Sequence, residues 1–133
     1  LHEDQLFTFL LYLKANRVGL LKSTFFHRRV RANSIMTSSF GMRNAMGYLT
    51  VCRELKNYDH SYHITQEQRR VIKERIIYLL FEVIYRLDLF TKDERKELKQ
   101  FIKKEFQPYF TVKMRLKLDC PRVFTLLKKI KNL

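Results

Sequence analysis

Residues 65–87, TQEQRRVIKERIIYLLFEVIYRL, decide the fold. Ile72, Ile76, Leu79, Leu80, Val83, Ile84 and Leu87 recur at intervals of three and four, the period of one helix face. Thr65 stands just ahead of this stripe, with Gln68 three residues on. In that pairing the hydroxyl and the carboxamide each take up a backbone N–H left without a partner at a helix start. The stretch therefore predicts a long amphipathic helix opening at Thr65. Its apolar face must be covered, by neighbouring helices or by another copy of the chain.

The same two signals extend outward. Downstream, Thr91 and Glu94 form a second capping pair, ahead of a helix that buries Leu98, Phe101, Ile102 and Phe106 and stops at Pro108. Pro121 suits the first position of a last helix, whose stripe is Val123, Leu126, Leu127 and Ile130. Upstream, residues 39–57 read as a helix with Met42, Ala45, Met46, Leu49 and Cys52 on one face. Residues 4–15 read as another, built on Leu6, Phe9, Leu10 and Leu13. Between these two, Val18–Lys22 and Thr24–Arg31 are rich in β-branched and aromatic residues and predict short edge strands, followed by a loop over 32–37. The expected fold class is mainly α: a helical bundle of four to five helices with a short two-stranded N-terminal piece. A boundary near residue 37 separates a segment 1–37 from a helical segment 38–133.

Composition agrees. In 133 residues, hydrophobic types make up 46%, enough for a core, while three Gly and two Pro argue against a turn-rich all-β domain. Lys and Arg number 27 against 13 Asp and Glu, a formal net charge of +14 that attracts polyanions of any kind. The basic residues are mostly dispersed. The exceptions are His27–Arg31 and the stretch from Gln107, which holds seven Lys/Arg against Asp119 alone. Cys52 and Cys120 form no metal-ligand or redox motif, and both are expected to be reduced core residues in a cytoplasmic protein. No apolar run reaches the ~20 residues that cross a bilayer. A chain that starts at Leu rather than Met is expected to be a piece of a longer one.

Two clusters could carry chemistry. Glu3 and Asp4 fall in the first turn of the first helix, where unpaired N–H groups and the positive end of the dipole favour a carboxylate. Such acids can equally serve only to cap the helix. The second cluster runs from Phe25-Phe26-His27-Arg28-Arg29-Val30-Arg31 into Ala32-Asn33-Ser34-Ile35-Met36-Thr37. Strand alternation puts His27, Arg29 and Arg31 on one side and Arg28 on the other. The planar guanidinium fork matches phosphate, and a neutral imidazole can ligate a metal or meet a phosphate oxygen. An exposed basic strand and loop is the plainer account. His60 and His63 are expected to be surface residues.

The stretch His2-Glu3-Asp4-Gln5-Leu6-Phe7, the apolar helix after it, then Phe25-Phe26-His27-Arg28-Arg29 and Asn33-Ser34-Ile35-Met36-Thr37 resembles the end of the catalytic domain of bacterial family 2 (GT-A type) glycosyltransferases. In that family an "ED" pair at a helix start precedes a "YYYR"-like strand and a "SIMT"-like loop. Here Phe, Phe and His stand where the family often has Tyr. The resemblance covers about residues 2–40 and gives residues 38–133 only the likeness of a variable helical tail.

The resemblance implies inverting transfer from a nucleotide-diphosphate sugar to an acceptor hydroxyl, in polysaccharide or glycoconjugate synthesis. It implies Asp4 as the base, Glu3 as its partner, and His27, Arg28, Arg31 and Ser34 near the diphosphate. It further implies a divalent metal, Mg or Mn, in the full-length enzyme, with His27 as a candidate ligand. The family's Asp-x-Asp metal motif is absent from these 133 residues, so the isolated chain is expected to be inactive and to hold no cofactor. The tail helix, with Lys128, Lys129 and Lys131 beside its stripe, is compatible with peripheral contact at the inner face of a membrane, or with a stripe packed into the core. The rival account is a basic helical binding module, with nucleic acid as its most natural partner, or an oligomerisation module. The net charge favours nucleic acid and His27–Arg31 would supply phosphate contacts, whereas dispersed charge and the lack of a known nucleic-acid motif argue against it.

Overall fold

The computed structural model describes residues 2–24 and 39–131. Six α-helices are present among them: α1 (Glu3–Lys14), α2 (Met42–Ser61), α3 (Gln66–Tyr85), α4 (Lys92–Phe106), α5 (Val112–Asp119) and α6 (Pro121–Lys131). The protein is mainly α, with one helix more than the sequence predicts.

The hairpin of α2 and α3 is the centre of the fold. Thr65 caps α3 as its sequence requires: its hydroxyl accepts the Gln68 N–H at 3.2 Å, and the Gln68 side chain accepts the Thr65 N–H at 2.9 Å. Asp59 meets Arg69 at 2.9 Å near the connection, and the Cys52 thiol reaches the Ile76 carbonyl at 3.9 Å further out, so the helices run antiparallel. Ile72, Ile76, Leu79, Leu80, Val83 and Ile84 are buried against Ala45, Leu49, Cys52 and Leu55. The stripe from Ile72 to Leu87 is thus buried inside the chain.

α1 lies beside both helices. Its Leu6, Phe9, Leu10 and Leu13 pack on the common core, and the Gln68 side chain donates to the Leu13 carbonyl at 3.0 Å. α4 follows a 3-10 turn at Leu87–Leu89 and starts on the predicted Thr91–Glu94 pair. It contributes Leu98, Ile102 and Phe106 to the core. Pro108 sits in a second 3-10 turn, Gln107–Tyr109, and Pro121 opens α6.

Basic side chains close several of these elements. The Arg95 guanidinium donates to the carbonyls of Leu87 and Phe90, both at 3.0 Å; Lys56 donates to that of Glu105 at 3.1 Å, and Lys99 to that of Leu118 at 3.1 Å. The carbonyls of Glu105 and Leu118 lie in the last turns of α4 and α5, where a helix runs out of its own donors.

Four expectations need correcting. Val18–Lys22 is not a strand, and none occurs among the described residues; Val18, Leu20 and Leu21 are exposed there. β-propensity needs a neighbour to complete the ladder, and no described segment supplies one. The companion stretch Thr24–Arg31 lies outside the described residues beyond Thr24, as does the boundary at 37. α2 begins at Met42 rather than Ser39, because Gly41 is the extended cap and its N–H donates to the Asn44 side chain at 3.2 Å. Cys120 is exposed between α5 and α6, whereas Cys52 is in the core as expected. Finally, the stripe of α6 is not packed inward: Val123, Leu126 and Leu127 are exposed.

Candidate functional site

The first turn of α1 presents Glu3 and Asp4 to solvent. Preceding them, His2 takes a left-handed conformation (φ 68°), uncommon for a side chain other than Gly. Its ring stacks on Tyr48 of α2 at 4.1 Å between centroids, fixing the start of α1 to the hairpin. Burial against that ring lowers the His2 pKa, so its neutral form is favoured there. Glu3 is held below the usual carboxylate range, chiefly by accepting a backbone N–H at its own position. The Asp4 Oδ1 accepts the Gln5 N–H at 2.9 Å.

Asp4 lies at the edge of an open groove formed by Gln5, Thr8, Phe9 and Tyr12 of α1 and by Arg75 of α3. Helical spacing explains the α1 side, since positions 4, 8 and 12 follow one another along one face. Arg75 arrives by tertiary packing: it donates to the Gln5 side chain at 3.2 Å, and its guanidinium lies 5.4 Å from the centroid of the Tyr78 ring. Its Nε is buried without a hydrogen-bond partner among the described residues. The groove thus joins a carboxylate, a cation, a hydroxyl and two aromatic rings, a mixture able to hold a polar ligand by hydrogen bonds and ring faces.

Glu3 and Asp4, adjacent in the sequence, are both exposed at the start of α1, and of the two only Asp4 borders the groove. His27, Arg28, Arg31 and Ser34 lie outside the described residues, and with them the candidate metal ligand. Among the described residues no three or more His, Cys, Asp or Glu gather to hold a metal ion. His60 and His63 are exposed, as expected. Arg75 was not singled out by the sequence, where it is one charge among many on α3; only its partner 70 residues away distinguishes it.

No family model, curated protein or solved structure matches this chain. Its function therefore rests on its own residues. No helix among those described is long and apolar enough to cross a membrane.

Proposed function

We propose that this chain is the C-terminal part of an inverting, GT-A-type glycosyltransferase acting on the cytoplasmic side, and that Asp4 is its base. One observation carries the proposal: the order and spacing of His2-Glu3-Asp4, Phe25-Phe26-His27-Arg28-Arg29 and Asn33-Ser34-Ile35-Met36-Thr37 along the sequence. The open groove beside Asp4 supports it, because a base must be within hydrogen-bond reach of the hydroxyl it activates.

In this reading the Asp4 carboxylate takes the proton of an acceptor hydroxyl. The acceptor oxygen attacks the anomeric carbon of the donor sugar from the face opposite the diphosphate. The bond from that carbon to the diphosphate oxygen breaks, and the nucleoside diphosphate leaves with the electron pair. His27, Arg28, Arg31 and Ser34 are assigned to the departing diphosphate, where fixed positive charge and hydrogen bonds lower the barrier. Arg75 borders the acceptor side and orients polar groups beside Asp4. A divalent metal, Mg or Mn, would neutralise diphosphate charge in the complete enzyme. The described residues do not assemble a ligand set for it, and no step here passes through it.

The donor pocket belongs to a preceding catalytic half, so these 133 residues alone are expected to turn over no nucleotide sugar. The test is transfer by the chain joined to that half, with the anomeric configuration of the product followed by NMR. Inversion supports the proposal; retention, or no turnover of a panel of nucleotide-diphosphate sugars, overturns it.

A second reading, a helical binding or oligomerisation module, is favoured by the exposed Phe7, Leu11, Val18, Leu20 and Leu21. Sedimentation across concentrations separates the two: self-association through these residues supports the module, and a monomer throughout counts against it.

A further inference from the structure

α6 leaves an aliphatic stripe uncovered beside a run of basic residues. Phe124 turns toward the body, its ring meeting Tyr85 edge-on at 5.4 Å between centroids, with the Lys117 ammonium 5.5 Å from its centroid. Val123, Leu126 and Leu127 stand on a different face at helical spacing, with 48%, 62% and 49% of their surfaces exposed. The helix runs for 11 residues, about 16 Å at the usual rise. It carries Arg122, Lys128, Lys129 and Lys131, and residues 120–133 contain no acidic residue at all. On the adjoining α5, Lys113 and Arg115 are exposed as well.

These features narrow the choice of occupant. A second copy would bring like-charged segments together, each chain carrying a net +14, and the short stripe offers little area for a stable dimer. A nucleic-acid backbone would be served by the cations but would leave the aliphatic stripe in water. An anionic lipid surface uses both, since the aliphatic side chains enter the acyl boundary while the basic ones stay among the headgroups. We propose that α6 is an interfacial helix that seats this end of the protein on an anionic membrane surface. The inference stands on α6 itself and does not depend on the transferase reading.

The test is co-sedimentation of the chain with vesicles of phosphatidylcholine alone and of phosphatidylcholine mixed with phosphatidylserine. The wild type is expected to bind the anionic vesicles at least about tenfold more tightly than the neutral ones. The double variant Leu126→Asp/Leu127→Asp should lose that binding by a similar factor, with helical circular dichroism and melting temperature unchanged because both positions are exposed. The double variant Lys128→Gln/Lys129→Gln should weaken binding to anionic vesicles and leave neutral ones unaffected. Three results would overturn the proposal: no binding to anionic vesicles, binding indifferent to the Leu substitutions, or a wild-type dimer in lipid-free light scattering that those substitutions abolish.

Discussion

At the scale of single residues, the two cysteines show how much depends on tertiary context. Burial pushes the Cys52 thiol up to about 12, so its reactive thiolate is scarce at neutral pH, and the core also shields it. Cys120 is exposed. A thiol reagent is expected to label one cysteine per chain promptly, at Cys120, and to reach Cys52 only on unfolding; mass spectrometry of the labelled peptides checks this. Neither cysteine belongs to a metal or redox motif, so both were expected in the core; Cys120 instead lies at the junction between α5 and α6. Lys117 is the converse. An alternating basic and apolar run gives no sign of a buried lysine, yet its ammonium pairs with Asp88, a residue 29 positions away. Arg75 is likewise set apart only by tertiary packing, through its hydrogen bond to Gln5 across the fold.

Elements were legible wherever a cap and a stripe coincide. Thr65 with Gln68, and Thr91 with Glu94, mark both helix starts to the residue. Glu94 is held below its usual range, first by the Thr91 hydroxyl and then by the Thr91 backbone N–H. Its folded pKa therefore lies below its unfolded one. The stability it contributes is present above the unfolded value and is lost as pH falls through the folded value. Thr91→Ala should destabilise the chain at neutral pH, and the gap from wild type in urea midpoint should narrow on acidification. α5 was not legible: Val112-Lys113-Met114-Arg115-Leu116-Lys117-Leu118 alternates with period two, yet Thr111 caps it and Met114 and Leu118 are buried one turn apart. The neighbouring α3 overrides the local pattern. The expected strand at Val18–Lys22 failed the opposite way, with favourable residue types and no partner to pair with.

At the scale of the whole molecule, stability resides in the α2–α3 hairpin and the helices that cover it. Ile76→Ala is expected to cost roughly 2–5 kcal/mol in chemical denaturation, because Ile76 is fully buried. Leu126→Ala, on the exposed face of α6, should change stability by no more than about 0.5 kcal/mol. Part of the net charge of +14 is structural, as Lys56, Arg95 and Lys99 spend their donors on carbonyls within the fold. Much of the remaining positive charge lies in the last third of the sequence. Mainly α architecture could be read from the sequence because most of it is local. Of the candidate groove only Asp4 was marked by the sequence, because Arg75 joins it through packing. The proposal that Asp4 is a base is tested most directly by the rate of sugar transfer in the chain joined to the donor-binding half that the proposal requires, comparing wild type with Asp4→Asn. The expected result is a fall in kcat of about 10²–10⁴-fold with the fold and nucleotide-sugar affinity retained. An Asp4→Asn enzyme that transfers sugar at the wild-type rate would contradict it.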